Sequence, residues 1–389
     1  MVYMAAQKQE ILVGRLELRQ LDSVHQLRAV APAWDALWQR SETTFPTARA
    51  ELVAQWLEHF APRARLRILL VREADELVAA LPLVGRRLRA VLPVGDLTMN
   101  YWSPNGELLL DPTADQEPVL DILADALVEL PWPLVWLEMV PIETSRWHNL
   151  AEAIRRCGSS VDVHRRYRIG QVAVDGRFES YQASRSKNLL RNLRKDLRRL
   201  EKTGRVELEV QTEFAPGQVD DRLFQAFDLE DRSWKASGGH SVLRTPGMFD
   251  FYCRQARQLA RWGHLQVAFL KRNDEPLAFE LGWTAKEVYH SYKVGYDEAY
   301  RHYGPGHLLR MHLIRWLYEQ PGYRLVDSQG PMTEALARWA TQSYPIGRIV
   351  VAPRRLKGQA LMAGYRTLAP LVRCLRRIGH PQAAVTLHS

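Results

Sequence analysis

The sequence predicts an α+β fold in two domains, each a mixed sheet with packed helices, and three observations predict it. Short apolar segments come in pairs joined by two- or three-residue polar links, the spacing of antiparallel hairpins. Longer segments of helical apolar period separate those pairs, so helices lie between the strand groups. At 389 residues the chain exceeds what one hydrophobic core usually serves.

In the first half, a strand over residues 12–18 precedes helices near 32–39 and 49–59. Residues 66–72 and 76–84 read as a hairpin across Glu73-Ala74-Asp75. A helix over 119–130 follows Pro118, residues 134–139 form a buried strand, and a further helix spans 146–157. The second half repeats the plan. A helix begins near Arg177 and Tyr181 and continues through Leu200, and the strand 206–210 then alternates Val, Glu, Leu, Glu, Val. Helices over 224–234 and 246–261 lead into three strands, 265–271, 276–284 and 287–294, with Asn273-Asp274 and Ala285-Lys286 as hairpin links. After a glycine turn, the helix 307–319 places Leu308, Leu309, His312, Leu313, Trp316 and Leu317 on one side, and residues 325–328 form a short strand.

Composition narrows the class of molecule. With 46% hydrophobic and 25% charged residues the chain is of soluble globular type. Cys157, Cys253 and Cys374 lie far apart with no CxxC pair, so neither a disulfide framework nor a zinc ribbon is indicated, and no metal is expected. The first twenty residues lack a signal-type apolar core and no run is long enough to span a bilayer, so a cytoplasmic protein is expected. The formal charge of +9 favours anionic partners without choosing among nucleotide, nucleic acid and lipid surface.

The turn Arg301-His302-Tyr303-Gly304-Pro305-Gly306 carries the chemical signal. Its glycines leave backbone N–H groups uncrowded at the mouth of a helix, where the helix dipole favours phosphate oxygens. On spacing alone, Gly304, Gly306 and His307 would donate to a diphosphate and Arg301 would add charge at the edge. A plain tight turn before a helix fits that spacing equally.

The run Arg301-x-x-Gly304-x-Gly306 resembles the acyl-CoA pyrophosphate-binding signature of the GNAT acyltransferase superfamily. The ordered series Asp231-Arg232-Ser233-Trp234-Lys235, Phe251-Tyr252, Pro276-Leu277-Ala278 and Tyr292-Lys293-Val294-Gly295-Tyr296-Asp297 resembles its BioF2-like or CelD-like acetyltransferase branch, related to the Fem peptidyltransferases. The resemblance covers about residues 170–339 and touches the first half at Trp56-Leu57-Glu58-His59-Phe60 and Leu81-Pro82-Leu83. It implies tandem GNAT-like domains: a degenerate one over 1–165, an acyl-CoA-binding one over 166–350, and a basic tail over 351–389. It implies acetyl-CoA or another acyl-CoA as donor, with the CoA chain in a splay between strands 287–294 and 325–328. It places the pyrophosphate on Arg301, Gly304 and Gly306. In the first half Val94-Gly95-Asp96 lacks both the spacing and the helix.

Acyl transfer to an amine needs an uncharged amine, a polarised carbonyl and a route for a proton. Glu280 interrupts an apolar strand, and a buried carboxylate there would accept a proton near neutrality unless an ion pair held it, with Lys271 or Arg272 as the pairing alternative. His290 is the second candidate base, equally readable as a satisfied histidine under a helix, and Tyr292 or Tyr296 a donor to the leaving thiolate, more readily read as a packed aromatic with a polar tip. Glu230, Trp234 and Lys235 border the Gly238-Gly239 loop and are expected to line the acceptor pocket, or to cap and bury a helix end. Asp327 would orient a cationic acceptor or cap the Gln329-Gly330-Pro331 turn.

The expected acceptor is an amine, small or polymer-linked, of unread identity. The basic stretch 185–202 suits a solvated helix, a rim attracting the phosphates of CoA or a carrier partner, or a nucleic-acid surface; it has no interleaved aromatics for stacking on bases, so nucleic acid is not the expected partner. The tail alternates Arg354, Arg355, Lys357, Arg366, Arg373, Arg376 and Arg377 with leucines, so it would lie on an anionic membrane or dock on the protein, with Pro370 interrupting it. Two rival functions stand beside acyl-CoA-dependent transfer: a Fem-like transferase using aminoacyl-tRNA on an envelope precursor, and a non-catalytic scaffold for polyanions.

Overall fold

The computed structural model describes residues 11–13, 15–88, 90–233 and 241–379. They fall into two compact units, unit 1 with residues up to 42, 61–166 and 346 onward, and unit 2 with residues 43–60 and 167–345. The linear division at 165 and 350 differs from this one in two places: residues 43–60 belong with the second unit, and the tail with the first.

Unit 1 contains β1 (Ile11–Val13), β2 (Leu16–Leu21), α1 (Val24–Ala29), α2 (Ala31–Arg40), β3 (Leu66–Glu73), β4 (Glu76–Leu88) and β5 (Leu92–Leu97). Short strands β6 (Met99–Asn100), β7 (Ser103–Pro104) and β8 (Leu109–Leu110) precede α4 (Gln116–Val128), β9 (Val135–Val140) and α5 (Ser145–Arg156). Its strand order is β1-β2-β3-β4-β5-β9, continued by β16 (Gln342–Ala352), with β5 and β9 parallel and the other neighbours antiparallel. Leu120, Leu123, Leu127, Trp147 and Ile154 bury one face of α4 and α5 against this sheet. The parallel pair β5 and β9 is bridged by a side chain: Asp96 accepts from the Glu138 N–H at 3.2 Å and the Leu97 N–H at 2.9 Å, and pairs with Arg86. The ring of Trp132 lies where a Cβ on Gly95 would stand.

The chain then crosses through β10 (Ser160–Ala173), which starts in unit 1 and ends in unit 2; β16 runs the opposite way. The expected single helix from 177 to 200 is two, α6 (Phe178–Ala183) and α7 (Lys187–Glu201), because Ser186 caps a new helix by accepting from the Leu189 N–H at 3.3 Å. Unit 2 continues with β11 (Val206–Gln211), α8 (Gln218–Asp231), α9 (Met248–Arg261), β12 (Leu265–Arg272), β13 (Glu275–Ala285) and β14 (Val288–Tyr296). A 3-10 turn (Glu298–Tyr303), α10 (Pro305–Glu319), β15 (Leu325–Pro331) and α11 (Glu334–Ala337) complete it, together with α3 (Ala50–Phe60) and the 3-10 turn Pro46–Ala48. Its strands run β10-β15-β14-β13-β12-β11, with β14 and β15 parallel. Asn273 and Asp274 take positive φ of 47° and 69°, the geometry of a two-residue hairpin. The next link is Lys286-Glu287 and not Ala285-Lys286.

The tail forms α12 (Leu356–Gly379), a helix that runs through Pro370 rather than being interrupted there. Within unit 1, Arg355 donates to Glu129 at 3.1 Å and Arg366 pairs with Asp162 at 2.9 Å. Among the described residues no helix is long and apolar enough to cross a membrane.

Candidate functional site

The site begins where two parallel strands part. β14 pairs with β15 only over Val288↔Leu325, Tyr289↔Val326 and His290↔Asp327. Beyond that point β15 continues against β10, from Gln171↔Asp327 to Ile169↔Pro331, while β14 continues against β13 as far as Ala278↔Tyr296. The register of β13 and β14 slips between Leu281↔Lys293 and Gly282↔Ser291, leaving Tyr292 as the extra residue of a bulge, which sharpens the twist of β14. From Ser291 to Tyr296, β14 therefore presents an edge with no strand beside it among the described residues, as the expected splay requires.

The glycine turn closes the wide end of this opening. Asp297 Oδ1 accepts from the Ala299 N–H at 2.9 Å to start the 3-10 turn, and Arg232 donates to Asp297 at 2.7 Å. Gly304 sits at φ 61°, ψ 44°, the left-handed conformation that glycine adopts most easily, and Pro305 opens α10. The expected set of phosphate donors is corrected here. The Gly304 N–H is engaged with Arg301 O and the His307 N–H with Gly304 O, both at 3.0 Å, so of the three amides that of Gly306 is left. Arg301 is exposed and pairs with Glu298 at 3.2 Å; His307 is exposed beside the Trp339 ring. Helix α7 backs the turn: Arg199 donates to His302 O at 3.2 Å and lies over the Tyr303 ring.

The three candidate catalytic residues do not converge. Glu280 and Ser291 face α10, where Arg310 lies 3.5 Å from Glu280 Oε1 and donates to Ser291 Oγ at 3.1 Å. Glu280 and Arg310 are both buried, and this pair replaces the expected partners: Lys271 pairs with Glu209 and Arg272 with Glu275. The Tyr289 hydroxyl lies within the same layer, and burial, then the Glu280 charge, hold its pKa well above the usual range.

His290 lies on the opposite face, against residues 43–60. Its ring is 4.7 Å from that of Phe45, and Nε2 donates to the Thr44 carbonyl at 3.2 Å. A carbonyl only accepts, so Nε2 carries the proton and Nδ1 accepts from the Gln329 amide at 2.8 Å. The same amide donates to Asp327 Oδ1 at 2.8 Å, and Gln171 donates to Asp327 Oδ2 at 2.8 Å. Asp327 also accepts from the Gln329 backbone N–H at 2.9 Å, with Gln329 at φ 57°, the capping role that the sequence left open. Burial pushes the His290 pKa down to about 4, against the opposing pull of Asp327.

That shift has a measurable sign. Unfolded, His290 takes its proton near 6.5; folded, only near 4. Stability from the neutral ring is complete above pH 6.5 and falls as pH drops toward 4, by roughly 3 kcal/mol in all. Urea unfolding of the wild type and of His290→Gln should therefore converge in stability as pH is lowered from 7 to 4; a constant difference would refute the buried neutral ring.

Tyr292 shares the face of His290. Its hydroxyl donates to the Tyr252 hydroxyl at 3.2 Å and its ring packs 4.2 Å from that of Trp283. Burial, then Tyr292, raise the Tyr252 pKa well above its ordinary value. Glu230 is buried at the end of α8, accepts from the Val242 N–H at 3.1 Å and acts electrostatically on Tyr252. Trp234 and Lys235 lie outside the described residues. The structure thus brings Glu230 and Tyr292 together through Tyr252, and His290 and Asp327 together through Gln329. The sequence marks Tyr252 only as part of a motif and Gln329 only as part of a turn, and gives no sign of Gln171, Thr44 or Arg310; a polar pair, Gln329 and Asp327, at the end of an apolar strand was the available signal.

Residues 187–334 match the family model described as acetyltransferase (GNAT) domain. No curated protein sequence matches the chain. Among solved structures, FemX is 9% identical over 85% of this chain and 96% of its own, with a TM-score of 0.55. The C-terminal DUF2156 domain of a protein described as a lysylphosphatidylglycerol synthetase, from Agrobacterium fabrum, is 13% identical over 88% of this chain and 97% of its own, with a TM-score of 0.54. A conserved protein of unknown function from Bacteroides thetaiotaomicron is 13% identical over 86% of this chain and 99% of its own, at 0.50. At such identities the likeness is one of fold, and the fold is the α+β, mixed-sheet fold of GNAT acyltransferases.

Proposed function

We propose that unit 2 binds an acyl-CoA, acetyl-CoA first among them, and passes the acyl group directly to an amine, in the manner of the BioF2-like or CelD-like branch. The observation that carries this reading is the parting of β14 and β15 at His290 and Asp327, with the Arg301-to-Gly306 turn at its mouth. A pantetheine chain laid beside β14, on the side that β15 leaves after His290, would hydrogen-bond its amides to that strand's backbone, as an added strand does. Its phosphates would meet the Gly306 N–H, the N-terminus of α10 and the Arg301 guanidinium. The thioester would then lie toward the narrow end, near the bulge at Tyr292.

In the transfer, the amine nitrogen attacks the thioester carbon, the C–N bond forms and the C–S bond breaks. The amine gives up one proton and the sulfur takes one. Tyr292 is the proposed donor to sulfur, turning toward it the proton that its hydroxyl now gives to Tyr252; Glu280, whose Oε1 has no hydrogen-bond partner among the described residues, is the proposed acceptor from the amine. His290 is assigned a positioning role, because both ring nitrogens are engaged and a group with a pKa of about 4 is a weak base at neutrality. Glu230 would attract the amine by charge. The acceptor is small or polymer-linked, and the setting is cytoplasmic, with α12 as the part that would meet an anionic lipid surface.

Calorimetric titration with acetyl-CoA and with CoA tests the first step, and a folded protein that binds neither would contradict the reading. Aminoacyl-tRNA binding without acetyl-CoA binding would favour the Fem-like alternative. Tyr292→Phe should lower kcat about tenfold to a hundredfold while leaving the acetyl-CoA Kd within about twofold, since it removes only the proton donor; an equal loss in both would make Tyr292 a binding residue.

A further inference from the structure

Helix α7 carries a row of cations without ion-pair partners among the described residues. Lys187, Arg191, Arg194, Lys195, Arg198 and Lys202 follow the helical spacing of one face, all exposed, and none makes an ion pair among the described residues. Leu189, Leu193 and Leu200 on the opposite side bury against unit 2 and fix which face is outward. At 1.5 Å per residue the row extends about 22 Å, well beyond the reach of one nucleotide lying at the Gly304 turn.

The turn itself favours a single phosphate. Pro305 has no N–H, the Gly304 and His307 amides are engaged, and the Asp196 carboxylate of α7 lies 3.4 Å from where a Gly304 Cβ would stand. An anionic side chain there opposes the added charge of a diphosphate more than it opposes one phosphodiester. Arg199, paired with Asp196 at 3.8 Å and bonded to His302 O, sets the cationic row and the turn in one piece.

We propose that α7 is the docking surface for an acidic protein that carries its acyl group on a phosphopantetheine arm. The arm's single phosphodiester sits at the Gly306 N–H, the pantetheine enters between β14 and β15, and the carrier's acidic face covers Lys187 through Lys202. This rests on the donor site proposed above and names the form in which that site takes its donor. The step is unchanged in balance: the carrier's C–S bond breaks as the C–N bond forms, and the thiol stays on the carrier with a proton that the amine released. Charge complementarity over a long face speeds encounter and weakens with salt.

The test compares affinities for acetylated acyl carrier protein and for acetyl-CoA, in the wild type and in Arg191→Glu/Arg194→Glu/Arg198→Glu, with Arg191→Gln/Arg194→Gln/Arg198→Gln as the milder set and circular dichroism to check folding. The expected result is a carrier Kd at least tenfold below that of acetyl-CoA at low salt. That advantage should vanish in the charge-reversed variant and shrink in the glutamine variant, while the acetyl-CoA Kd changes by less than about threefold. A wild-type carrier Kd no lower than that of acetyl-CoA overturns the inference and leaves the donor site standing. So does displacement of the carrier by an RNA of equal charge at equal concentration. Absence of binding by both thioesters to folded wild type removes the donor site and the inference together.

Discussion

Replacing Glu280 by leucine is expected to lower stability by about 3–5 kcal/mol, because Arg310 would be left buried without its counter-charge. Both side chains are nearly inaccessible, at 2% for Glu280 and 9% for Arg310, so water cannot screen the loss. Arg310 would keep Ser291 Oγ as a hydrogen-bond acceptor, which does not replace a carboxylate. The double variant Glu280→Leu/Arg310→Met should recover most of that stability, since removing both ions also removes the cost of burying them. Turnover separates the roles of Glu280. As the proposed base it is needed even when its partner is gone, so the double variant should fold and stay inactive. Recovery of stability and of kcat together would reduce Glu280 to a counter-ion.

A methyl group on Gly282 should be nearly as harmful, by a different route. Its Cβ would stand 2.5 Å from the His290 carbonyl oxygen and 2.6 Å from the Tyr289 hydroxyl, and the first of these is backbone. β13 and β14 would have to separate at the place where β14 leaves β15. Overpacking of this kind costs about 1–3 kcal/mol, and the displaced His290 and Tyr292 should lower kcat on the order of 100-fold. Urea unfolding together with steady-state rates on Gly282→Ala checks both. A variant with unchanged stability would show that the strands yield more easily than the contact distances imply.

These two positions also mark how far the sequence could be read. Glu280 stood out because a carboxylate broke an apolar strand, and its burial followed from that pattern. Its partner did not, since Arg310 comes thirty residues later on a helix whose inward face became known only with the packing. The hairpins 66–84 and 265–284, the glycine turn and the helix after it were legible from local spacing, because turn geometry and apolar period act over a few residues. β10 and β16 were not. β10 carries His164, Arg165 and Arg166 in its middle, and β16 holds Pro345 and Gly347, residues that weaken a strand signal. The partners of His290 were hidden for the same reason as Arg310: Thr44, 246 residues away, and its neighbour Phe45 reach it through a segment that joins unit 2 only in the fold.

The central claim is that the Arg301-to-Gly306 turn holds the phosphate of a pantetheine donor, and the side chain at position 306 tests it most directly. A Cβ there would meet only Tyr296 Cδ1, at 3.5 Å, an ordinary contact, and glycine is the poorer helix former by a few tenths to about 1 kcal/mol. Gly306→Ala and Gly306→Val should therefore fold as well as the wild type, by thermal unfolding. Titrated with acetyl-CoA, the alanine variant should bind within about threefold of the wild type. The valine variant, whose branched side chain stands over the remaining N–H, should lose at least about tenfold. A folded valine variant that binds acetyl-CoA as the wild type does would place the donor elsewhere and contradict the account.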